Sequence, residues 1–430
     1  ASRGLYLNTS GNTVSGLAIN RFGQHGIYIH TNANNNTVQG NYIGLGADGT
    51  TAYANGGSGI FISNSSNNTI GGTAANTGNV ISANGANGVQ IDQASSNNNA
   101  LYGNIIGLAS DGNTDRGNTS RGIFLSGADN TQIGNGTASG RNVISGNGSE
   151  GIFNSNGSGA VIIGNYIGTN AAGTAAVGNA SVGVSVSNAS SIQIGGSTAG
   201  QGNVISGNLS TGIVSGGASA TLTIQGNYIG TNAAGDAAVG NGADGIGISS
   251  TAIIGGTTAG AGNLISGNTS RGIILNNTSG LGYTAIVQGN FIGTDATGIN
   301  AITNGGHGIF ISAYDNAQIG GTTAAARNVI LAAAGRYPMQ FSGAGTHAVE
   351  GNHIGANVNG DAVTAHLNGV ILNSTTYTTI GGTASGAGNL IRGSVNQGVL
   401  ISGSTTRAAF LGNRSEEHTS ELQSRQYLVC

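Results

Sequence analysis

The sequence predicts an all-β fold, a right-handed parallel β-helix of about 13 coils with three strands each. Three observations lead there. A repeat of about 62 residues runs along the chain. Each repeat contains short runs of alternating apolar residues bounded by Gly, Asn and Ser. None of these runs has helical spacing.

Two motifs set the period. Gly-Asn, an aromatic residue or Ile, then Ile-Gly recurs at Asn41, Asn104, Asn165, Asn227, Asn290 and Asn352. Asn-Val/Leu-Ile sits between them at Asn79, Asn142, Asn203, Asn263, Asn328 and Asn389. The merged spacing alternates between about 38 and about 24 residues, so each repeat is one long and one short coil.

Each coil carries three strand signals. The first is Asn-x-Ile, as in Asn203-Val204-Ile205. The second is Gly-Ile-x-Ile, as in Gly59-Ile60-Phe61-Ile62. The third is a lone apolar residue before a Gly, as in Ile70-Gly71. Strands this short become stable only when the same strand of the next coil pairs with them, about 4.8 Å along the axis. The coils would make a rod of roughly 62 Å, right-handed because parallel crossovers are.

Two columns support the stacking. The Ile two positions after the motif Asn recurs from Ile19 and Ile43 through Ile391 and should face inward. Ile81, Ile106, Ile144, Ile167 and Ile205 should form one buried stack, each stabilising by roughly 1.5–3 kcal/mol before entropy costs. The motif Asn forms the second column, and its amide can donate to and accept from its neighbours above and below. Gly40, Gly59, Gly71 and Gly88 are expected at corners that need positive φ. In the segment 332–341 the second-strand motif reads Arg336-Tyr337-Pro338-Met339, and a Pro within it, unable to donate to the ladder, predicts a bulge or short insertion there.

Gly164-Asn165-Tyr166-Ile167-Gly168-Thr169 and Asn203-Val204-Ile205-Ser206-Gly207-Asn208 resemble the repeats of the pectate-lyase-like superfamily of right-handed parallel β-helices. More narrowly they are similar to Asn/Gly-rich arrays of large bacterial secreted and surface proteins. The resemblance covers residues 1–413. It implies the fold and leaves the activity open, because that superfamily holds lyases, hydrolases, epimerases, tailspikes and adhesins.

Residues 1–413 therefore form one β-helix domain, expected to be cut within the array at both ends. Residues 414–430 are expected to be a non-native or disordered tail. After Gly412-Asn413 the repeat calls for an aromatic and Ile-Gly, but the chain reads Arg414-Ser415-Glu416-Glu417-His418-Thr419-Ser420-Glu421. Residues 414–424 resemble a translated sequencing adapter, so Glu416, Glu417, His418, Glu421 and Cys430 are expected to carry no function. Exposed coil edges would permit end-to-end self-association.

Composition limits the function. The chain has 430 residues, 82 Gly, one Pro, no Lys, 6% charged side chains and a net charge of −3. It has no basic field for nucleic acid. It has no apolar run of about 18 residues to cross a membrane, and a single Cys excludes an internal disulfide framework. No leader is visible, but the chain begins inside a repeat. The expected location is extracellular or at a cell surface. No cofactor or metal site is expected, and the expected partner is a polysaccharide or surface glycan.

Candidate chemistry lies in three columns. Asp48, Asp111, Asp236, Asp295 and Asp361 sit in the long-coil inserts, never on adjacent coils, and read as turn formers. The residue before the second-strand Gly puts Arg121 next to Glu150, and Asp244 next to Arg271 and then His307. These are either surface ion pairs or a polar ligand strip, with Asp244, Arg271 and His307 as the candidate catalytic cluster. Phe61, Phe124, Phe153 and Phe310 point outward on the second strand, as do Tyr42, Tyr166, Tyr228 and Phe291 on the first. Such rings either stack on sugars or lie under the long-coil loops. Loops 45–57, 108–120, 169–181, 231–243, 294–306 and 356–367 are expected to build one ridge beside them. The favoured function is an extracellular non-catalytic rod, adhesin or scaffold, binding glycans along its side through Phe61, Phe124, Phe153 and Phe310. The alternative is a carbohydrate-active enzyme, a polysaccharide lyase or glycoside hydrolase, on the same fold. An ice-binding solenoid is disfavoured, because alternating coil lengths spoil a flat Thr lattice.

Overall fold

The computed structural model describes residues 2–217, 221–277, 280–404 and 407–416. The expectations for Glu417, His418, Glu421 and Cys430 fall outside these residues. The described strands form three parallel sheets of 14 strands each, and every strand except the first and last of a sheet pairs with its equivalents one coil before and after. Sheet A holds the Gly-Ile-x-Ile strands, sheet B the lone-apolar strands and sheet C the Asn-x-Ile strands. The chain is a parallel β-helix with three strands per coil.

It divides into two compact units, Ala1–Leu222 and Thr223–Cys430. In the first unit Ile43, Ile81, Ile106, Ile144, Ile167 and Ile205 are fully buried in one column of sheet C. Sheet A adds pairs such as Ile60 and Ile62, both inward. In the second unit Ile229, Ile265, Ile292, Ile330 and Ile354 continue the same pattern. Period-2 alternation thus fills the interior with β-branched side chains. Arg414–Glu416 pairs with Leu390–Arg392 as a final strand of sheet C, with Ser415 opposite Ile391 where the column calls for Ile.

Asn ladders seal the corners. Between sheets B and C of the first unit, each Asn Nδ2 donates to the next Oδ1 along Asn41, Asn79, Asn104, Asn142, Asn165 and Asn203, at 2.9–3.0 Å. The backbone N–H of each donates to that same oxygen. The second amide proton goes to a backbone carbonyl, as from Asn79 to Val38. Every donor and both acceptor positions are used, so the buried amides are satisfied. The second unit repeats this from Asn227 to Asn413. A second ladder runs between sheets C and A through Asn55, Asn84, Asn118, Asn147, Asn179 and Asn208. A third, between sheets A and B, links Asn12, Asn36, Asn68 and Asn99.

Two sequence expectations need correction. Gly40 and Gly71 do have positive φ, of 64° and 87°. Gly59 and Gly88 do not; they are Gly because a Cβ on Gly59 would lie 2.6 Å from Ile81 and 2.8 Å from the Gly88 carbonyl. The coil of Pro338 also keeps its register: Met339–Ser342 pairs with Ile309–Ser312 without a shift. The irregularity comes one coil later, between His366 and Asn368. Pro338 stands just before its strand, where fixed φ is tolerated and only a ladder donor is lost.

Candidate glycan-contact face

The long-coil loops rest against the outward aromatics of sheet C. Each loop closes with an antiparallel bridge, for example Leu45 with Ala52 and Thr294 with Ala301. In the first unit the loops join through Ser110 N–H to the Gly49 carbonyl at 3.0 Å and Ala171 N–H to the Gly112 carbonyl at 2.8 Å. In the second unit Ala296 bonds to Gly235 and Val358 to Gly298 in the same way. Within each unit the loops therefore form a ridge, and the ridge rests on sheet C. A Cβ on Gly298 would lie 2.9 Å from the Phe291 ring, and one on Gly49 would lie 3.0 Å from Tyr42. Tyr166 is buried beneath the Arg141 guanidinium, 4.0 Å from its centroid.

The acidic residues of these loops serve the turns. Asp48 accepts from the backbone of Thr50 and Thr51, and Asp111 from Asn113 and Thr114. Hydrogen bonds from the Thr51 and Thr114 hydroxyls, then from the backbone, hold both carboxyls below the usual carboxylate range. Asp295 binds Thr297 and Asn300 in the same fashion.

The sheet A rings are half-buried, except Tyr6, which is exposed. In the first unit the outward position reads Tyr6, Tyr28, Phe61, Gln90, Phe124 and Phe153 on six consecutive strands. Phe124 and Phe153 are stacked with centroids 5.5 Å apart and planes 5° apart. Arg121 spreads over both, 4.7 and 4.8 Å from the centroids, while its Nε bonds Glu150 at 3.0 Å. Burial raises the Glu150 carboxyl, but hydrogen bonds from Ser149 and its own backbone, with Arg121, outweigh this and hold it low. Toward the N-terminus His25 stacks on Phe61 at 4.7 Å, and its Nδ1 accepts the Ser58 N–H at 3.1 Å.

In the second unit Asp244, Arg271 and His307 come together. Asp244 Oδ1 accepts the Arg271 backbone N–H at 2.8 Å, and its Oδ2 lies 3.6 Å from Arg271 Nη1. The Arg271 guanidinium sits 4.6 Å from the Phe310 centroid, and His307 is 6.0 Å from the same ring. Sequence reasoning missed two neighbours. Tyr337 stacks on His307 at 5.0 Å and 7°, and its N–H donates to His307 Nδ1 at 3.3 Å. Arg336 beside it bonds the Gly305 carbonyl through Nε. Burial first, then Arg271 and Arg336, push the His307 imidazole down to about 4. The signal was available: Tyr337 occupies the column position of His307, hidden because Pro338 follows in place of Gly.

No family model matches the chain, and no curated protein matches it. Similar solved structures include the A-module of an Azotobacter vinelandii mannuronan C-5 epimerase, 12% identical over 95% of this chain and 92% of that one, TM-score 0.36. A mutant of a periplasmic alginate epimerase is 12% identical over 88% and 77%, TM-score 0.42. The Streptococcus pneumoniae surface protein and adhesin PfbA is 12% identical over 91% and 92%, TM-score 0.26. Likenesses this low carry nothing about the ligand of this chain. Among the described residues no three His, Cys, Asp or Glu side chains gather as a metal site, and no helix is long and apolar enough to cross a membrane.

Proposed function

We propose that this chain is a non-catalytic segment of an extracellular or cell-surface protein that holds glycans against the outer face of sheet A. Phe61, Phe124, Phe153 and Phe310 are its contacts. The observation that carries the reading is the stacked, half-exposed pair Phe124 and Phe153 on adjacent strands. The stacked rings and the Arg121 guanidinium over both make one apolar patch against which a sugar ring can lie, and Arg121 and Glu150 offer polar atoms to its hydroxyls. Each contact is weak, and repetition along the strands strengthens the whole.

The enzyme alternative rests on Asp244, Arg271 and His307. Against it, Asp244 is engaged by Arg271, and His307 Nδ1 already accepts a backbone proton. We also take residues from 414 onward as foreign to the repeat, since Ser415 breaks the Ile column.

The test is calorimetric titration of the full chain with neutral oligosaccharides of increasing length. Affinity should rise with length and fall at least about tenfold in the Phe124→Ala, Phe153→Ala double variant. No binding, or binding indifferent to both rings, overturns the reading.

A further inference from the structure

The sheet A faces of the two units differ in charge. In the first, the single guanidinium over the ring pair, Arg121, is bonded to Glu150. In the second, Arg271 and His307 share the Phe310 ring, Arg336 adjoins Tyr337, which stacks on His307, and the carboxylate beside them is Asp244. That carboxylate is partly consumed, because its Oδ1 accepts the Arg271 backbone N–H. The cluster therefore carries one more cation than anion.

It is also rich in donors. The Tyr337 N–H occupies His307 Nδ1, so the neutral ring carries its proton on Nε2. Arg336 meets the Gly305 carbonyl through Nε, and Arg271 is ion-paired with Asp244 through Nη1 at 3.6 Å. Arg336 is exposed, and the Arg271 side chain is 33% exposed. Phe310 and Tyr337 hold the guanidinium and the imidazole from the side. Such stacking pre-organises the planar groups and limits the entropy lost on binding.

We infer that Arg271, His307 and Arg336 form an oxyanion site in the second unit, one that takes a carboxylate or sulfate group carried on a glycan. The inference deepens the glycan reading and rests on it for the class of ligand. Planar donors in this arrangement suit two-oxygen recognition. Phe310 beside them supplies an apolar face for the ring that bears the group.

The experiment titrates the full chain with three oligosaccharides of equal length: neutral, carboxylated and sulfated. It is repeated at low and physiological salt. The carboxylated or sulfated ligand should bind at least about tenfold tighter than the neutral one, with salt reducing the difference. The stronger of the two anionic arms identifies the group. The Arg271→Gln, Arg336→Gln variant should lose that preference and keep neutral binding, and Arg271→Lys, Arg336→Lys should retain part of it. Arg336 is exposed, so Arg336→Gln alone supplies the test should the double variant unfold. Equal affinity for all three ligands, or an anionic preference unchanged in the Gln variants, overturns the site. Neutral binding that depends on Phe124 and Phe153 would then still stand. Arg-dependent anion binding indifferent to those rings would keep this site and remove the first-unit platform.

Discussion

Asn104 gives both its side-chain and its backbone N–H to one atom, Oδ1 of Asn142, at 2.9 and 3.0 Å. Asn142 Nδ2 in turn serves the Leu101 carbonyl. Asn142→Ala would leave two buried N–H protons of Asn104 without an acceptor and the Leu101 carbonyl with only its bond from Gly134 N–H, at about 1–3 kcal/mol for each stranded proton. The urea midpoint should fall steeply, whereas Asn76→Gly, at an exposed turn residue with φ of 61°, should be nearly neutral. Equal midpoints for the two variants would reduce the ladder to decoration.

The loop ridge of the second unit depends on contact between Gly298 and the Phe291 ring. Gly298→Ala meets both a φ of 72° and that ring. Gly11→Ala meets a φ of 77° in open space. The first should cost more than the roughly 1–2 kcal/mol of a left-handed Ala, and loop 294–301 should become more sensitive to protease. Similar losses in both variants would mean that the ring contact contributes nothing.

His347 is buried against Phe341, with ring centroids 5.1 Å apart. Burial pushes its imidazole down to about 4, although Asp315 pulls the other way. The unfolded chain, near 6.5, binds the proton more readily. The neutral ring therefore supports the fold above about pH 6.5, and that support is lost as pH falls toward 4, by roughly 3 kcal/mol at most. His307 and His366 shift in the same direction. Denaturant midpoints at pH 7 and pH 5 should converge in His347→Leu relative to the parent. A parent chain equally stable at both pH values contradicts the assignment.

Asp244→Ala should change no catalytic rate, because none is expected. Incubation with pectic, alginate and neutral glycans should give neither unsaturated products nor new reducing ends. Turnover present in the parent and absent in this variant would turn the cluster into an active site.

Much of the fold could be read from residue order. The interval between motif Asn residues sets the coil lengths, and period-2 alternation assigns Ile205 or Ile62 to the interior. The ladder from Asn41 to Asn203 was visible because each Asn sits beside an inward Ile. The ladders of Asn55 and Asn36 were not, since Asn is abundant at turns for local reasons and recurrence there is hard to separate from composition. The site was less readable. Phe124 and Phe291 carry the same outward pattern, and only the path of the loops brings Gly298 against the Phe291 ring. Tyr337 and Arg336 lay in the one coil whose motif is interrupted.

The ladders also have a polarity. At every described step the earlier Asn donates and the later one accepts, as from Asn68 to Asn99 and from Asn268 to Asn304. A coil therefore holds unsatisfied protons until its successor arrives, and each successor completes the one before. The two edges of such a ladder are therefore chemically unlike, the later one offering amide protons that lack acceptors and the earlier one amide oxygens that lack donors, so a cap that fits one edge does not fit the other.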